Sequence, residues 1–380
     1  MNDQNLGLAI KLRHDLHEHP ELSNEETWTK GHLMAFIHAN TKLEVIDKGN
    51  WFYAAYRAGD GRPNIAFRAD FDALPIEETI DLPWGSKIPG VSHKCGHDGH
   101  SATLAAFALE VDQNGADNNI FFLFQPAEET GDGAIQCIDL IKDEQIDEIY
   151  GCHNMSGFAF KSVGVMDGTF MCASKGMTIH LEGTPAHASQ PETGINPSFA
   201  IANIVNAIPR LIQPEHHRGL VLCTVVQIDV GEKMFGIAAH KGDLRMTIRA
   251  LYEDELDRLQ ENLENLANEQ AEEYGLRVRF EYNDEFPETY NHPESTDHIR
   301  AAAKAKGMDV IEISEAFRGS EDFGHFTKLT KGAYCIIGNG EGHPPIHTVE
   351  YDFRDELIEC GVELFKELAG CGGKHHTAID

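Results

Sequence analysis

Residues 120–129 read IFFLFQPAEE, an apolar run that ends in a proline and a pair of glutamates. Residues 64–72, NIAFRADFD, and residues 148–154, EIYGCHN, follow the same plan. Such short runs, apolar almost throughout, are typical of strands buried on both faces of a sheet. Open α/β sheets place their functional groups just beyond the strand ends, so these segments predict an α/β fold with a site at one edge of its sheet.

Apolar residues at helical spacing predict helices on either side of these strands. Ser23-Asn24-Glu25-Glu26 has the pattern of a capping box, whose side chains bond free backbone N–H groups, so we expect a helix to begin there. Further helices are predicted at 101–111, 133–141, 294–306 and 353–369, with a strand at 333–338.

A different pattern occupies residues 174–284. In order, it predicts a strand at 176–183, a helix with Pro197 at its first position, strands at 220–228 and 243–250, a helix marked by Leu256–Leu266, and a strand at 276–282. The order βαββαβ is that of a ferredoxin-like unit. We therefore expect a discontinuous catalytic domain at 1–173 and 286–380, with an inserted domain at 174–285.

Composition limits the class of protein. A chain of 380 residues exceeds the ~250–300 residues at which a single core stops growing, which favours two domains. Lys and Arg total 31 and Asp and Glu total 62, and the resulting charge of −31 disfavours nucleic acid and anionic membranes as partners. The sequence lacks both a long apolar run and the pattern of a signal peptide, so we expect a cytoplasmic protein with reduced cysteines.

Cys95 and His97 form the densest group of residues that can bind a metal. They are two residues apart on a glycine-bearing segment that we expect to be a loop, where a thiolate and an imidazole can reach one ion. Cysteine favours zinc, whereas imidazole and carboxylate ligands also accept manganese or cobalt. The alternative for this pair is a buried structural Cys and His.

Three other segments add residues of the same kind. Glu128 and Glu129 are adjacent, so their side chains diverge, and one can bind metal while the other takes a proton from water. His153 is predicted to end a buried strand, and His347 follows two prolines. Each has an ordinary alternative, an acidic turn or a core histidine. Together with Cys95 and His97, however, they meet the needs of one hydrolytic site.

Asp70 and Asp72 flank Phe71 at a predicted strand end, and we expect both to point to the same side. One of them is expected to hydrogen-bond a metal-bound histidine. The alternative is an ordinary turn before Ala73.

The motifs, taken in order, resemble the M20 metallopeptidase family, specifically its subfamily D of aminoacylase, hippurate-hydrolase and indole-acetyl-amino-acid hydrolase-like amidohydrolases. The resemblance is carried by RHDLHEHPELSNEET (13–27), RADFDALPIEE (68–78), HKCGHDGHSA (93–102), FQPAEETGDGA (124–134), GCHN (151–154), GTPAHASQPETGINP (183–197), GSEDFGHF (319–326) and PPIHTVEYDF (344–353). It implies a metal-dependent exopeptidase-like α/β catalytic domain with an inserted ferredoxin-like domain for dimerisation or as a lid.

The resemblance also implies roles for single residues. The metal ligands, for one or two ions of Zn, Mn or Co, are then Cys95, His97, Glu129, His153 and His347. Glu128 is then the general base, and Asp72 the aspartate that orients a ligand. His187, in the inserted domain, would stabilise the oxyanion, and the insert would form a homodimer.

One stretch departs from the family pattern. Relatives carry an Asn-Val-Ile-Pro-like turn where this chain reads FGIAAHK at 235–241, without Asn or Pro. We expect substrate specificity to be set there, with His240 or Arg249 as a substitute contact.

The function expected from these observations is hydrolysis of the amide bond of a small N-acylated amino acid by metal-activated water. Three alternatives stay open: a dipeptide exopeptidase, an N-acetyl-diaminopimelate deacetylase, and an inactive relative that only binds metal.

Overall fold

The computed structural model describes residues 1–371, which divide into two units. The first, here the sheet unit, comprises Met1–Phe170, Thr289–Glu315 and the chain from Asp322 onward. The second, here the inserted unit, comprises Met171–Glu288 and Ala316–Glu321. The limits predicted for the inserted domain, 174–285, stay a prediction beside these ranges.

The described chain alternates helices and strands. The helices are α1 (Asp3–Glu18), α2 (Thr27–Asn40), α3 (His97–Asn114), α4 (Gly133–Cys137), α5 (Asp139–Asp143), α6 (Ser198–Leu211), α7 (Glu253–Tyr274), α8 (Pro293–Ala305), α9 (Gly324–Thr327) and α10 (Glu356–Leu368). The strands are β1 (Glu44–Asp47), β2 (Phe52–Tyr56), β3 (Asn64–Asp70), β4 (Asn119–Gln125), β5 (Glu148–Ser156), β6 (Val163–Val165), β7 (Gly168–Met171), β8 (Ala173–Glu182), β9 (Ala186–His187), β10 (Val221–Val230), β11 (Ile237–Ala238), β12 (Lys241–Ala250), β13 (Arg277–Phe286), β14 (Thr289–Asn291), β15 (Val310–Glu312) and β16 (Lys331–Gly340).

The sheet unit is built on a mixed sheet of order β1-β2-β4-β3-β5-β16-β6-β15. Its centre, β4-β3-β5-β16, is parallel, and these strands are buried along most of their length, as their apolar runs predict. Helices α1, α3, α8 and α10 pack with one another and on the sheet, where Phe67, Phe107 and Phe122 stack edge to face. The predicted α/β class is confirmed.

The inserted unit carries an antiparallel sheet of order β10-β12-β8-β13. Helices α6 and α7 pack together and against it, and Leu256, Leu259 and Leu263 of α7 are buried in its core. The elements β8, α6, β10, β12, α7 and β13 follow the βαββαβ order expected of a ferredoxin-like unit.

Several predicted local features are wrong. His97 is the first residue of α3, because Gly96 takes a left-handed φ of 99° that turns the chain directly into the helix. His153 lies inside β5, which continues to Ser156 because β16 pairs with it that far. Pro197 precedes α6 as its N-cap.

Two helix predictions also need correction. Residues 133–141 form two short helices, α4 and α5. The predicted capping box does not form, because α2 begins at Thr27 and the Glu26 side chain makes no cap hydrogen bond. Among residues 1–371, no helix is long and apolar enough to cross a membrane.

Candidate metal centre

The sheet unit gathers all five predicted ligands into one cluster, called here the donor cluster: Cys95, His97, Glu129, His153 and His347. Cys95 Sγ lies 3.2 Å from Nε2 of His153 and 3.3 Å from Nε2 of His347. Oε1 of Glu129 lies 3.5 Å from Nε2 of His347 and 3.7 Å from Nε2 of His97. The five donors lie on four segments: Cys95 and His97 at the start of α3, Glu129 in the turn after β4, His153 within β5, and His347 between β16 and α10.

Two histidines of the cluster are oriented by their other ring nitrogen. His97 Nδ1 donates to Asp72 Oδ1 at 3.0 Å, and His153 Nδ1 donates to the Asn154 carbonyl at 2.6 Å. Both bonds place a proton on Nδ1, so that Nε2 is the ring nitrogen directed at the cluster and available to a metal. His347 is held by its backbone, with a left-handed φ of 63° and its N–H bonded to the Lys94 carbonyl.

The cluster fits a metal by its unsatisfied atoms and by its charge. Nε2 of His97 and Oε1 of Glu129 are buried without a hydrogen-bond partner among the described residues. Such orphaned atoms are costly unless an ion meets them. Burial by itself lowers the pKa of His97, but Asp70, Asp72 and Glu129 outweigh it and raise the pKa to about 10. The site is thus rich in negative charge and suited to a cation.

The Cys95 thiol is in the same environment. Burial, and then the carboxylates of Glu129 and Glu128, raise its pKa well above the usual range. A bound divalent cation has the opposite effect on this pKa, because it favours the thiolate. A set of thiolate, imidazole and carboxylate donors suits zinc and also accepts manganese or cobalt.

Glu128 lies beside the cluster. Its Oε2 is 3.8 Å from Nε2 of His97, and its side chain is buried. The carboxyl ends of β3 and β4 bring Asp72 and the Glu128-Glu129 turn together, since Glu129 N–H donates to Asp72 Oδ2 at 2.9 Å. This arrangement combines metal donors with an adjacent carboxylate that can move a proton.

Asp70 belongs to a buried network behind the cluster. Arg68 contacts Asp70 at 2.5 Å and Asp322 at 2.7 Å, and His100 Nδ1 donates to Asp70 Oδ1 at 2.6 Å. No role was predicted from the sequence for Arg68, His100 or Asp322. Arg68 had a usable signal, since an arginine within an otherwise apolar strand requires a buried carboxylate partner.

His187 belongs to the inserted unit. It lies on the two-residue strand β9, paired with Ile237 of β11, and its exposed ring contacts Ser189 Oγ at 2.7 Å. Of the two proposed substitute contacts, Arg249 bonds Ser320 within the same unit, and the His240 carbonyl accepts the N–H of Gly183.

Comparisons with known proteins agree with this geometry. The sequence profile of Peptidase family M20/M25/M40 matches residues 66–370. N-acetylcysteine deacetylase of Bacillus subtilis is 28% identical over 371 residues, covering 95% of each chain, and hippurate hydrolase of Campylobacter jejuni is 28% identical over 373 residues, covering 96% of each. A solved Bacillus subtilis structure, described as a dinuclear metal binding peptidase from the M20 family, superposes with a TM-score of 0.81 at 26% identity, over 97% of this chain and 98% of that one.

Proposed function

This chain belongs to peptidase family M20/M25/M40, and from that premise we propose that it hydrolyses the amide bond of small N-acylated amino acids at the donor cluster. It is a metal-dependent hydrolase. The substrate class is supported by the relatives named for deacetylation of N-acetylcysteine and hydrolysis of hippurate.

The ligands we propose are the five members of the donor cluster, holding one or two divalent ions. Bound there, the metal supplies Lewis-acid polarisation of the amide carbonyl and lowers the pKa of water. Glu128 takes the proton from the attacking water and later delivers it to the departing amine. Asp72 fixes the His97 ring through Nδ1, so that Nε2 stays directed into the site.

The observation that supports this proposal most strongly is the place of Glu128. Its carboxylate lies 3.8 Å from His97 Nε2, next to five converging metal donors. A site that only stores or senses metal has no need of a buried carboxylate beside its ligand set. This is the feature that favours the enzyme over the inactive metal-binding relative.

The substrate class is tested by amine release from a panel of N-acetyl and N-benzoyl amino acids, dipeptides and N-acetyl-diaminopimelate, with the metal-reconstituted protein. We expect the N-acyl amino acids to have the highest kcat/KM. A preference for dipeptides of tenfold or more, about 1.4 kcal/mol in transition-state binding, would instead assign an exopeptidase.

We propose further that His187 stabilises the negative charge that develops on the amide oxygen. Removing a donor of this kind lowers kcat by about 10²–10³-fold. His187→Ala is therefore expected to reduce kcat with little change in metal content, whereas His216→Ala, an exposed histidine of the same unit, leaves both unchanged. Equal kcat values for the two variants would remove His187 from the mechanism.

The homodimer is also a proposal. Strand β10 is at the edge of its sheet, and five large apolar residues of the inserted unit are at least half exposed: Phe199, Val226, Ile228, Met234 and Phe235. An exposed apolar edge strand favours pairing with a second copy. We expect a dimer by light scattering, lost in Val226→Lys/Ile228→Lys but kept in Gln227→Lys. A monomeric wild-type protein at micromolar concentration would contradict it.

The cytoplasmic location stays a prediction.

A further inference from the structure

The segment Ser23–Glu26 is bonded to the residues around the donor cluster instead of capping α2. Ser23 Oγ donates to Asp72 Oδ2 at 2.7 Å. The Ala127 N–H donates to Glu26 Oε1, also at 2.7 Å. Two side chains of one short segment thus meet both the aspartate behind His97 and the turn that carries Glu128 and Glu129.

Ala127 is the residue that gives this turn its direction. It is fully buried and has a left-handed φ of 50°, a region that L residues with a side chain avoid. Alanine does not favour this backbone conformation, so the contacts around Ala127 must impose it.

Two hydrogen bonds hold Ala127 in place. Glu26 accepts its N–H, and Gly133 N–H donates to its carbonyl at 3.0 Å. Gly133 has no room for a side chain, because a Cβ there would lie 1.8 Å from the Pro126 carbonyl oxygen. The peptide on either side of Ala127 is therefore fixed, and with it the direction in which Glu128 and Glu129 leave the backbone.

A contribution to stability alone does not explain a glutamate at position 26. Its side chain is 6% exposed, and burial followed by the charge of Asp72 raises its pKa to about 7. Placing a carboxylate next to another carboxylate in a buried site costs folding free energy. The hydrogen bond from Ala127 N–H to Glu26 Oε1 offsets part of this cost, and it is the contact through which Glu26 acts on the turn.

We propose that Glu26 is a positioning residue, whose carboxyl oxygen accepts the Ala127 N–H and so directs Glu128 at the attacking water and Glu129 at the metal. Ser23 assists by fixing the Asp72 oxygen that also accepts the Glu129 N–H. This inference rests on the proposed function for the role of Glu128, whereas the effect on Glu129 concerns metal binding alone.

The test compares three substitutions that separate the length of the side chain from its charge. Glu26→Gln keeps an oxygen at the same distance and removes the charge. Glu26→Asp keeps the charge and shortens the side chain by one methylene, and Glu26→Ala removes both. Glu25→Ala is the matched control, because Glu25 is adjacent and exposed.

Two readouts are measured on each metal-free and metal-reconstituted protein: the affinity for Zn²⁺ and Mn²⁺ by competition with a chromophoric chelator, and kcat and KM for an N-acyl amino acid. Loss of a group that supports a ligand changes metal affinity or activity about 10–100-fold. We expect Glu26→Asp and Glu26→Ala to lose about tenfold or more in metal affinity and kcat with KM nearly unchanged, and Glu26→Gln to stay within about threefold.

Either of two results would overturn the proposal. One is metal affinity and kcat within about twofold of wild type in Glu26→Asp, since the acceptor would then be dispensable. The other is a loss in Glu26→Gln as large as in Glu26→Asp, since charge and not the acceptor would then matter. If Glu26→Ala does not fold, the comparison of Glu26→Asp with Glu26→Gln still tests the proposal. If the wild type hydrolyses no N-acyl amino acid, the proposed function fails while the metal titration still tests the effect on Glu129.

Discussion

Asp72 is the position at which we expect a change of a single atom to disturb the metal centre most. Its Oδ1 accepts the N–H of His97 Nδ1 at 3.0 Å. Its Oδ2 accepts the backbone N–H of Glu129 at 2.9 Å and the hydroxyl of Ser23 at 2.7 Å. In Asp72→Asn one of these oxygens becomes an NH₂ group, so either the His97 Nδ1–H or the Glu129 N–H must face a second donor.

Both orientations of the new amide are unfavourable. With nitrogen toward Glu129, the Glu129 N–H loses its acceptor, and an unsatisfied buried donor costs about 1–3 kcal/mol. With nitrogen toward His97, the new NH₂ group faces the Nδ1–H, which keeps only the Asp72 carbonyl, at 3.1 Å, as an acceptor. This weakens the preference for the tautomer that leaves Nε2, the atom that faces the metal, without a proton. The first cost lowers the free energy of unfolding, and loss of a partner that orients a metal ligand weakens metal binding about 10–100-fold, which is the effect we expect for Asp72→Asn.

The assay is a competitive titration of metal-free protein with Zn²⁺ and Mn²⁺, with circular dichroism to verify folding. Asp81→Asn, at an exposed aspartate, is the control and should bind like the wild type. An Asp72→Asn protein that is folded and binds both metals within about twofold of wild type would refute the role of Asp72 in orienting His97.

Three further predictions concern stability. Gly133→Ala places a Cβ 1.8 Å from the Pro126 carbonyl oxygen, so it should lower the free energy of unfolding, measured in urea, by about 1–3 kcal/mol. Gly31→Ala, with open space around it in α2, is the control and should be neutral or stabilising. Equal effects of the two substitutions would contradict the close packing of the turn. Because Glu26 has a pKa raised to about 7 when folded, its carboxyl group binds more protons in the folded than in the unfolded state between about pH 4.5 and 7, so its contribution to the free energy of unfolding falls as pH rises through that window. For the metal-free proteins, the free energy of unfolding of Glu26→Gln relative to wild type should therefore rise over this window, and a difference that does not change with pH would contradict the raised pKa. A chelator should lower Tm, and added Zn²⁺ or Mn²⁺ should restore it, because the ion binds only the assembled cluster. The Tm of Glu129→Gln should change much less on chelation. A wild-type Tm that is insensitive to chelation would argue against bound metal.

The sheet, and the gathering of the five candidate ligands in one place, could be predicted because they depend on local patterns. Apolar runs such as 120–124 indicate buried strands, and the residues that follow them indicate where the site lies. The placement of His153 within β5 could not be predicted, because it depends on pairing with β16, which is distant in the sequence. His97 was assigned to a loop because helix propensity does not reveal that Gly96 turns the chain directly into α3.

Ser23 and Glu26 illustrate a different limit. Their spacing matches a capping box, and nothing local distinguishes a carboxylate that caps its own helix from one that bonds a turn a hundred residues away. Arg68 was recognisable as a buried charge, but its partners Asp70 and Asp322 are separated by most of the chain. Networks of this kind become visible only when the fold has brought their members together.

The central claim is that Glu128 moves the proton at a metal centre built by the donor cluster. The most direct measurement is amine release from an N-acyl amino acid by wild type and Glu128→Gln, each reconstituted to the same metal content as determined by mass spectrometry. We predict a kcat reduced by about 10²–10⁴-fold in Glu128→Gln, with metal content and Tm unchanged. A Glu128→Gln protein that carries the full metal content and retains wild-type kcat would contradict the claim.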